Sequence, residues 1–161
     1  MIGRTGWPKE KGRDGERTPM QWKADAKAGF TTGTPWLPVP ASVQTYNVEN
    51  ERKEPNSVLN FYRQLLAARK QEPALREGSY TVINDSDPNV YAYLRREKDD
   101  VVLVVLNMSA TKQTPSFDLS KQGLGSAQAH TILENGATVP AGALKSVSLE
   151  PYGVLIAKLS K

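Results

Sequence analysis

The residues best suited to chemistry lie in one polar stretch, "GRDGERTPMQW", which spans residues 12–22. Arg13 and Arg17 are four positions apart with a glycine between them, and two guanidinium groups held close can clamp an anion or hydrogen-bond to a polyol. Asp14 and Glu16 stand beside them and offer the two carboxylates that glycoside hydrolysis requires. Because each acid is flanked by an arginine, spacing alone favours ordinary solvated ion pairs.

Other reaction types find less support in the composition. The sequence has no cysteine and a single histidine, His130, which we interpret as a surface residue of a strand. Disulfides and thiolate metal sites are therefore excluded, and a histidine metal site or a serine–histidine relay is disfavoured. Gly12 and Gly15 lack the lysine and the strand–helix setting of a phosphate-binding loop. No metal and no cofactor is expected.

All three tryptophans, Trp7, Trp22 and Trp36, lie in the first 54 residues. An indole face can pack against the apolar face of a sugar ring while its N–H finds a polar partner. A tryptophan beside a proline, as at Trp7 and Trp36, more often anchors a loop by packing. Sugar binding and loop anchoring both remain open at this point.

The overall composition describes an ordinary globular chain of 161 residues with a net charge of +4. Lysines and arginines are interspersed with acids, as in "RREKDD" (95–100), so we predict neither a nucleic-acid nor a membrane partner. No apolar run is long enough to cross a bilayer, and no secretory signal pattern opens the sequence. The absence of cysteine suits a reducing compartment, and a cytoplasmic location is expected.

The segments that must position these residues differ in composition and in hydrophobic periodicity. Residues 1–54 are rich in glycine and proline and show no hydrophobic periodicity, which predicts a long loop of functional importance. Residues 55–71 have helical spacing, with Asn56 or Ser57 as the cap and Pro73 as the stop. The broad apolar stripe of this helix should bury one face against something larger.

From residue 79 onward the hydrophobic period changes to two. Residues 79–83 and 90–97 flank a turn-rich segment and predict a hairpin, and 101–108 is apolar on both faces, as in a central strand. Short strands separated by glycine, proline and asparagine predict an antiparallel β-sandwich. The further strand candidates are residues 114–119, 127–133, 145–149 and 154–159.

Two motifs together resemble a known family. "RDGERTPMQW" and "AGFTTGTPWLPV" (28–39) are similar to the alpha-amylase superfamily, glycoside hydrolase family 13, and most of all to its alpha-glucosidase and oligo-1,6-glucosidase branch. Residues 57–80 resemble the last helix of the family's (β/α)8 barrel and the entry to its C-terminal domain. Residues 149–159 resemble the closing strand of that domain.

This resemblance implies a division of the chain into three parts. Residues 1–54 correspond to the loop that follows the last barrel strand, and residues 55–78 to the last barrel helix and its connection. Residues 79–161 correspond to the C-terminal β-sandwich. The expected fold is therefore mainly β, an antiparallel sandwich of the amylase C-terminal type preceded by a long loop and one helix of a barrel.

In the family, an aspartate nucleophile, a glutamate acid/base and a sugar-binding aspartate come from barrel strands upstream of this segment. No residue here matches those motifs, and His130 is followed by threonine where the family has Asn-His-Asp. No catalytic residue is therefore expected, and the chain resembles the C-terminal part of a truncated alpha-glucosidase. Arg13 and Arg17 match two arginines on the aglycone side of the cleft, which implies substrate binding in the intact enzyme. Lys23 departs from the family, which usually has an acid there.

The resemblance implies a non-catalytic chain that packs on the barrel and stabilises it, with an alpha-linked gluco-oligosaccharide bound in the intact enzyme. Alone, its helix stripe and tryptophan loop should expose apolar surface, which predicts self-association or mobility of residues 1–54. The alternative is a free-standing carbohydrate-binding module that uses Trp22 or Trp36. Hydrolysis by the chain itself is a third, less favoured hypothesis.

Overall fold

The computed structural model describes residues 16–140 and 143–160. The chain divides into two compact units, Met1–Arg63 and Gln64–Lys161. In the part described, no helix combines the length and the apolarity needed to span a bilayer.

The first unit is built largely from irregular backbone. It contains a 3-10 turn, Ala41–Gln44, and a short helix, α1 (Val48–Lys53), inside the segment expected to be loop. Asn47 caps α1, since its side chain accepts a hydrogen bond of 2.9 Å from the Asn50 amide. Hydrophobic periodicity does not indicate α1, because none of its residues is buried.

The predicted helix is present as α2 (Val58–Gln71). Ser57 is its cap: the Ser57 hydroxyl accepts a hydrogen bond of 3.2 Å from the Asn60 amide. Pro73 then begins a second short helix, α3 (Pro73–Glu77), because proline is tolerated in a first turn. The apolar stripe of α2 is not buried within the described residues, where Ala68 is its only buried side chain.

The second unit is organised by a five-stranded antiparallel sheet with the order β1-β2-β3-β5-β4. Its strands are β1 (Ser79–Val82), β2 (Val90–Glu97), β3 (Asp100–Asn107), β4 (Gln128–Thr138) and β5 (Ser148–Ser160). The hairpin of β1 and β2 is confirmed, as is the central position of the buried strand β3. The predicted antiparallel, mainly β fold is therefore confirmed.

One face of the sheet packs against connecting segments, which supply the second layer of the core. The buried side chains of this layer are Phe117, Leu119, Leu124, Leu144 and Val147. The strand predicted at 114–119 is wrong, because these residues form no ladder and only an isolated bridge, Gln113 to Leu149, lies beside them. Buried side chains hold this segment in the second layer, together with a backbone hydrogen bond of 3.0 Å from the Phe117 amide to the Leu144 carbonyl.

The strand predicted at 154–159 is confirmed, but it is the second part of the longer strand β5. The strand predicted at 145–149 is mostly wrong, because Leu144–Ser146 is a 3-10 turn and β5 begins at Ser148. The breakers between them form an irregularity in the sheet: the register shifts between Asn135 and Ala137, and Tyr152 has φ 58°. Gly153 permits the close approach there, since a Cβ on it would lie 2.7 Å from the Gly136 carbonyl oxygen. A bulge can thus absorb residues that would normally end a strand.

Candidate functional site

The motif that follows Arg17 leads into a tight turn organised by Asp25. One carboxylate oxygen of Asp25 accepts hydrogen bonds from the backbone amides of Lys27 (2.8 Å) and Gly29 (3.0 Å). The other lies 3.2 Å from the Lys23 ammonium group. The amide of Gly29, and then that of Lys27, lowers the pKa of Asp25 because both donate to its charged form.

The turn closes because two residues adopt left-handed backbone. Ala28 and Gly29 have φ of 57° and 63°, which brings the Ala28 carbonyl back onto the start of the turn. That oxygen accepts hydrogen bonds from the amides of Trp22 (2.8 Å) and Lys23 (3.2 Å). A Cβ on Gly29 would lie 2.8 Å from Cγ of Lys23, so the lysine stem lies directly across the glycine.

The Gln21-Trp22 segment is also bound to the first turn of α1. The amide of Val48 donates to the Gln21 carbonyl at 2.9 Å, and that of Glu49 to the Trp22 carbonyl at 3.0 Å. These amides belong to the helix start, which has no intrahelical partner for them. The motif therefore satisfies helix donors that would otherwise be left to solvent.

The end of α1 is in turn bound to the start of α2. The Glu51 carboxylate accepts a hydrogen bond of 2.9 Å from the Leu59 amide. The Glu51 carbonyl accepts bonds from the Ser57 hydroxyl (2.7 Å) and the Asn60 side chain (3.0 Å). Within the loop predicted for residues 1–54, a scaffold of side-chain and backbone hydrogen bonds thus links residues 21–29 to α1 and α1 to the start of α2.

An open, mainly apolar groove of about 390 Å³ runs along this scaffold. Its wall includes three apolar side chains that are about half exposed or more: Met20 at 49%, Tyr46 at 66% and Val58 at 66%. Tyr62, one helical turn after Val58, is 58% exposed and completes the wall. Contiguous exposed apolar surface of this kind marks a region suited to a partner.

Three aromatic side chains of the same unit are also open to solvent. Trp22 is 47% exposed, Phe30 is 51% exposed and Trp36 is 89% exposed. Trp36 therefore does not serve as a packing anchor among the described residues, whereas its neighbour Leu37 is buried. These rings present apolar faces of the size needed to pack on a sugar.

The predicted substrate-binding residues fall on both sides of the described boundary. Arg17 is exposed and lies directly before the Thr18–Trp22 segment, whereas Arg13 lies outside the described residues. Glu16 is exposed, and Asp14 also lies outside the described range. His130 is an exposed residue of β4, as predicted, and its Nε2 lies 2.8 Å from the Ser160 hydroxyl.

Sequence reasoning missed Asp25, although an acid four residues before a glycine in a polar segment is the pattern of a side-chain-capped turn. The consequence of the Lys23 departure is now visible, since its ammonium pairs with Asp25 inside the same turn. Over residues 16–140 and 143–160, no cluster of three or more histidine, cysteine or acidic side chains is arranged to hold a metal ion.

Comparisons with known proteins give two adjoining family matches. The family model described as "Alpha amylase, catalytic domain" matches residues 5–78. The family model described as "Maltogenic Amylase, C-terminal domain" matches residues 80–156. The boundary between the matches falls where α3 ends at Glu77 and β1 begins at Ser79.

Two curated relatives illustrate the similarity. The chain is 36% identical over 149 residues to an oligo-1,6-glucosidase of Parageobacillus thermoglucosidasius, an alignment that covers 92% of this chain and 26% of the relative. It is also 36% identical over 151 residues to a trehalose-6-phosphate hydrolase of Bacillus subtilis, which covers 94% of this chain and 26% of the relative. The chain thus spans about a quarter of the length of these relatives.

Solved structures give the same result. A trehalulose synthase from Pseudomonas mesoacidophila superposes with a TM-score of 0.82 at 36% identity, over 94% of this chain and 27% of that one. A variant of the Bacillus licheniformis trehalose-6-phosphate hydrolase superposes with a TM-score of 0.83 at 32% identity, over 95% of this chain and 27% of that one.

Proposed function

Because residues 5–156 belong to the alpha-amylase superfamily, glycoside hydrolase family 13, we propose that this chain provides the C-terminal region of an alpha-glucosidase. Its substrates are alpha-linked gluco-oligosaccharides, and the catalytic carboxylates come from a barrel outside this sequence. The chain is then non-catalytic alone and serves the barrel structurally. The observation that carries this proposal is the pair of adjoining matches, which meet at the connection between α3 and β1.

Within that enzyme, residues 16–54 contribute to the rim of the substrate cleft. Support comes from the ordered hydrogen bonding that holds the Thr18–Trp22 segment on α1, with the exposed Arg17 directly before it. A guanidinium group at the rim donates hydrogen bonds to sugar hydroxyls without changing charge across the working pH range. Arg13 and Arg17 are the two substrate-binding residues of this proposal.

The partner of the apolar groove is the barrel of the same enzyme. Val58 and Tyr62 line the groove, and Leu66, which follows Tyr62 by one helical turn, is 61% exposed. A helix with such a stripe gains its stability from tertiary packing, so we expect these side chains to pack against a partner surface. Where no barrel is present, a second copy of the chain covers the same surface.

We also propose a cytoplasmic location, which cell fractionation tests.

A graft tests the proposed function. This chain replaces the matching C-terminal region of the Parageobacillus thermoglucosidasius oligo-1,6-glucosidase, and hydrolysis of p-nitrophenyl alpha-glucoside is measured. The graft is expected to hydrolyse this substrate, while this chain alone is expected to leave it intact. A folded graft without activity, or activity in the chain alone that disappears when one of its own acids is replaced, contradicts the proposal.

The second candidate is a free-standing carbohydrate-binding module, and the 89% exposure of Trp36 is the observation that favours it. Titration of tryptophan fluorescence with maltose, isomaltose and starch, compared between the parent chain and Trp36→Phe, separates the two functions. We expect weak or no response, because an exposed ring without a concave wall buries little of a sugar. Saturable binding that Trp36→Phe removes favours the module.

A further inference from the structure

We propose that Asp25 is a positioning residue that holds the Trp22 indole as a sugar-facing surface of the rim. The ligand is a glucosyl unit of the oligosaccharide on the aglycone side, and this part of the inference rests on the proposed function. The placement of Trp22 by Asp25 rests only on contacts within the first unit.

Both oxygens of the Asp25 carboxylate are engaged inside the turn. Oδ1 accepts from the amides of Lys27 and Gly29, at 2.8 and 3.0 Å, and Oδ2 lies 3.2 Å from the Lys23 ammonium group. A carboxylate that accepts backbone hydrogen bonds in this way stabilises a turn that the local sequence would otherwise leave open. Without the carboxylate, backbone bonds such as that from the Ala28 amide to the Asp25 carbonyl at 2.9 Å remain, but the amides of Lys27 and Gly29 lose the side-chain acceptor that holds them.

The turn acts directly on Trp22. Its carbonyl is fixed by the Glu49 amide at 3.0 Å, and its amide by the Ala28 carbonyl at 2.8 Å. The second bond exists only while Ala28 and Gly29 keep φ of 57° and 63°. Asp25 holds that conformation by accepting from the Gly29 amide. Loss of the Asp25 carboxylate therefore weakens the hold on the Trp22 amide and leaves the hydrogen bond of the Trp22 carbonyl unchanged.

The indole of Trp22 depends on this backbone because the ring is carried by it, and at 47% exposure the residue is partly open to solvent. An indole that packs on a sugar must present its face in a fixed direction, since stacking energy is lost when the ring reorients. Pre-organisation by the turn removes the entropy cost of ordering the ring at the moment of binding. Asp25 thus contributes to affinity through Trp22 and not by touching the substrate.

The test uses the full chain with Trp7→Phe and Trp36→Phe, so that Trp22 is the only tryptophan. In that background, Asp25→Ala is expected to raise the acrylamide quenching constant roughly twofold, as Trp22 moves from 47% toward complete exposure. Asp25→Asn should recover only part of the protection, because the amide oxygen still accepts the two backbone bonds while the negative charge that strengthens them and pairs with Lys23 is lost. Asp99→Ala, at an exposed aspartate of the other unit, is the control and should leave quenching unchanged. Equal quenching in the parent background and Asp25→Ala overturns the inference.

The graft provides the functional readout. There Asp25→Ala should raise KM for isomaltotriose by roughly tenfold with kcat retained, which is the pattern of lost ground-state binding, and Asp25→Asn should restore KM in part. If the graft is active and its KM is the same with and without Asp25→Ala, the inference is overturned while the proposed function stands. A folded but inactive graft contradicts the proposed function, and the quenching measurement then decides the placement of Trp22 by Asp25 independently.

Discussion

The backbone amide of Glu49 donates a hydrogen bond of 3.0 Å to the carbonyl oxygen of Trp22. This bond joins the first turn of α1 to the Thr18–Trp22 segment, which follows Arg17 in the sequence. The segment is therefore ordered by a helix that begins 26 residues later in the chain. A change that destabilises the start of α1 should therefore also disorder the Thr18–Trp22 segment of the proposed rim.

Removal of the α1 cap tests that coupling. Asn47→Ala deletes the bond to the Asn50 amide and the bond from the Asn47 side chain to the Val43 carbonyl at 2.9 Å. Because Asn47 is only 4% exposed, we expect the free energy of unfolding of the first unit to fall by about 1–2 kcal/mol. Urea denaturation followed by tryptophan fluorescence measures it.

The matched control for the cap is Asn56→Ala, at an exposed asparagine whose described hydrogen bond is made by its backbone. It should change the unfolding free energy by no more than about 0.5 kcal/mol. Equal effects of the two substitutions would show that the cap does not order this region.

A methyl group at Gly29 should disturb the turn through Lys23. Gly29→Ala places an L-residue at φ 63°, which costs about 1–2 kcal/mol, and it also pushes the Lys23 stem away from Asp25. In a Lys23→Ala background the clash with the lysine stem disappears, while the cost of the left-handed backbone and the contact with Cβ of Trp22 at 3.3 Å stay. The unfolding cost of Gly29→Ala should therefore be larger with Lys23 present than with Ala at position 23, as urea denaturation of the four variants measures. Identical costs would show that the lysine stem does not lie across the glycine.

The turn should loosen in acid. The amides of Gly29 and Lys27 lower the pKa of Asp25 in the folded chain, so its stabilising contribution is fully present above the unfolded value of about 3.9 and is lost as the pH falls through the folded value. Quenching of the single-tryptophan chain should be flat from neutral pH to about pH 4 and should rise below it. Asp25→Asn cannot titrate and should remove this transition; a transition of the same midpoint in that variant would assign it to another acid.

The exposed stripe of α2 should drive association when no barrel is present. Sedimentation velocity of the chain at increasing concentration should reveal dimers or larger species, and Tyr62→Glu should return the chain to monomer because a carboxylate in an apolar contact is costly. Ala67→Glu is the control, since Ala67 is exposed on roughly the opposite side of α2. If the parent chain stays monomeric, or if Tyr62→Glu associates as strongly as the parent, the apolar face of α2 does not drive association.

Much of the second unit could be predicted from the sequence because its signals are local. The run at Val101–Leu106 is apolar on both faces and becomes the buried central strand, and the two loop motifs predict the family that the comparisons support. The continuity of β5 could not be predicted, because the bulge at Tyr152 and Gly153 depends on the approach of β4. Similarly, α1 depends on long-range bonds to Gln21 and Trp22, which periodicity does not report.

The central claim is that this chain supplies a substrate-binding rim to an alpha-glucosidase barrel. It is tested most directly by kcat/KM for isomaltose in the graft, compared between the parent sequence and Arg17→Ala, with Arg76→Ala, a change at an exposed arginine of the other unit, as the matched control. We predict that Arg17→Ala lowers kcat/KM about tenfold or more, the size of one lost charged hydrogen bond, and that Arg76→Ala leaves it unchanged. An active graft with the same kcat/KM in the parent and Arg17→Ala would contradict the account.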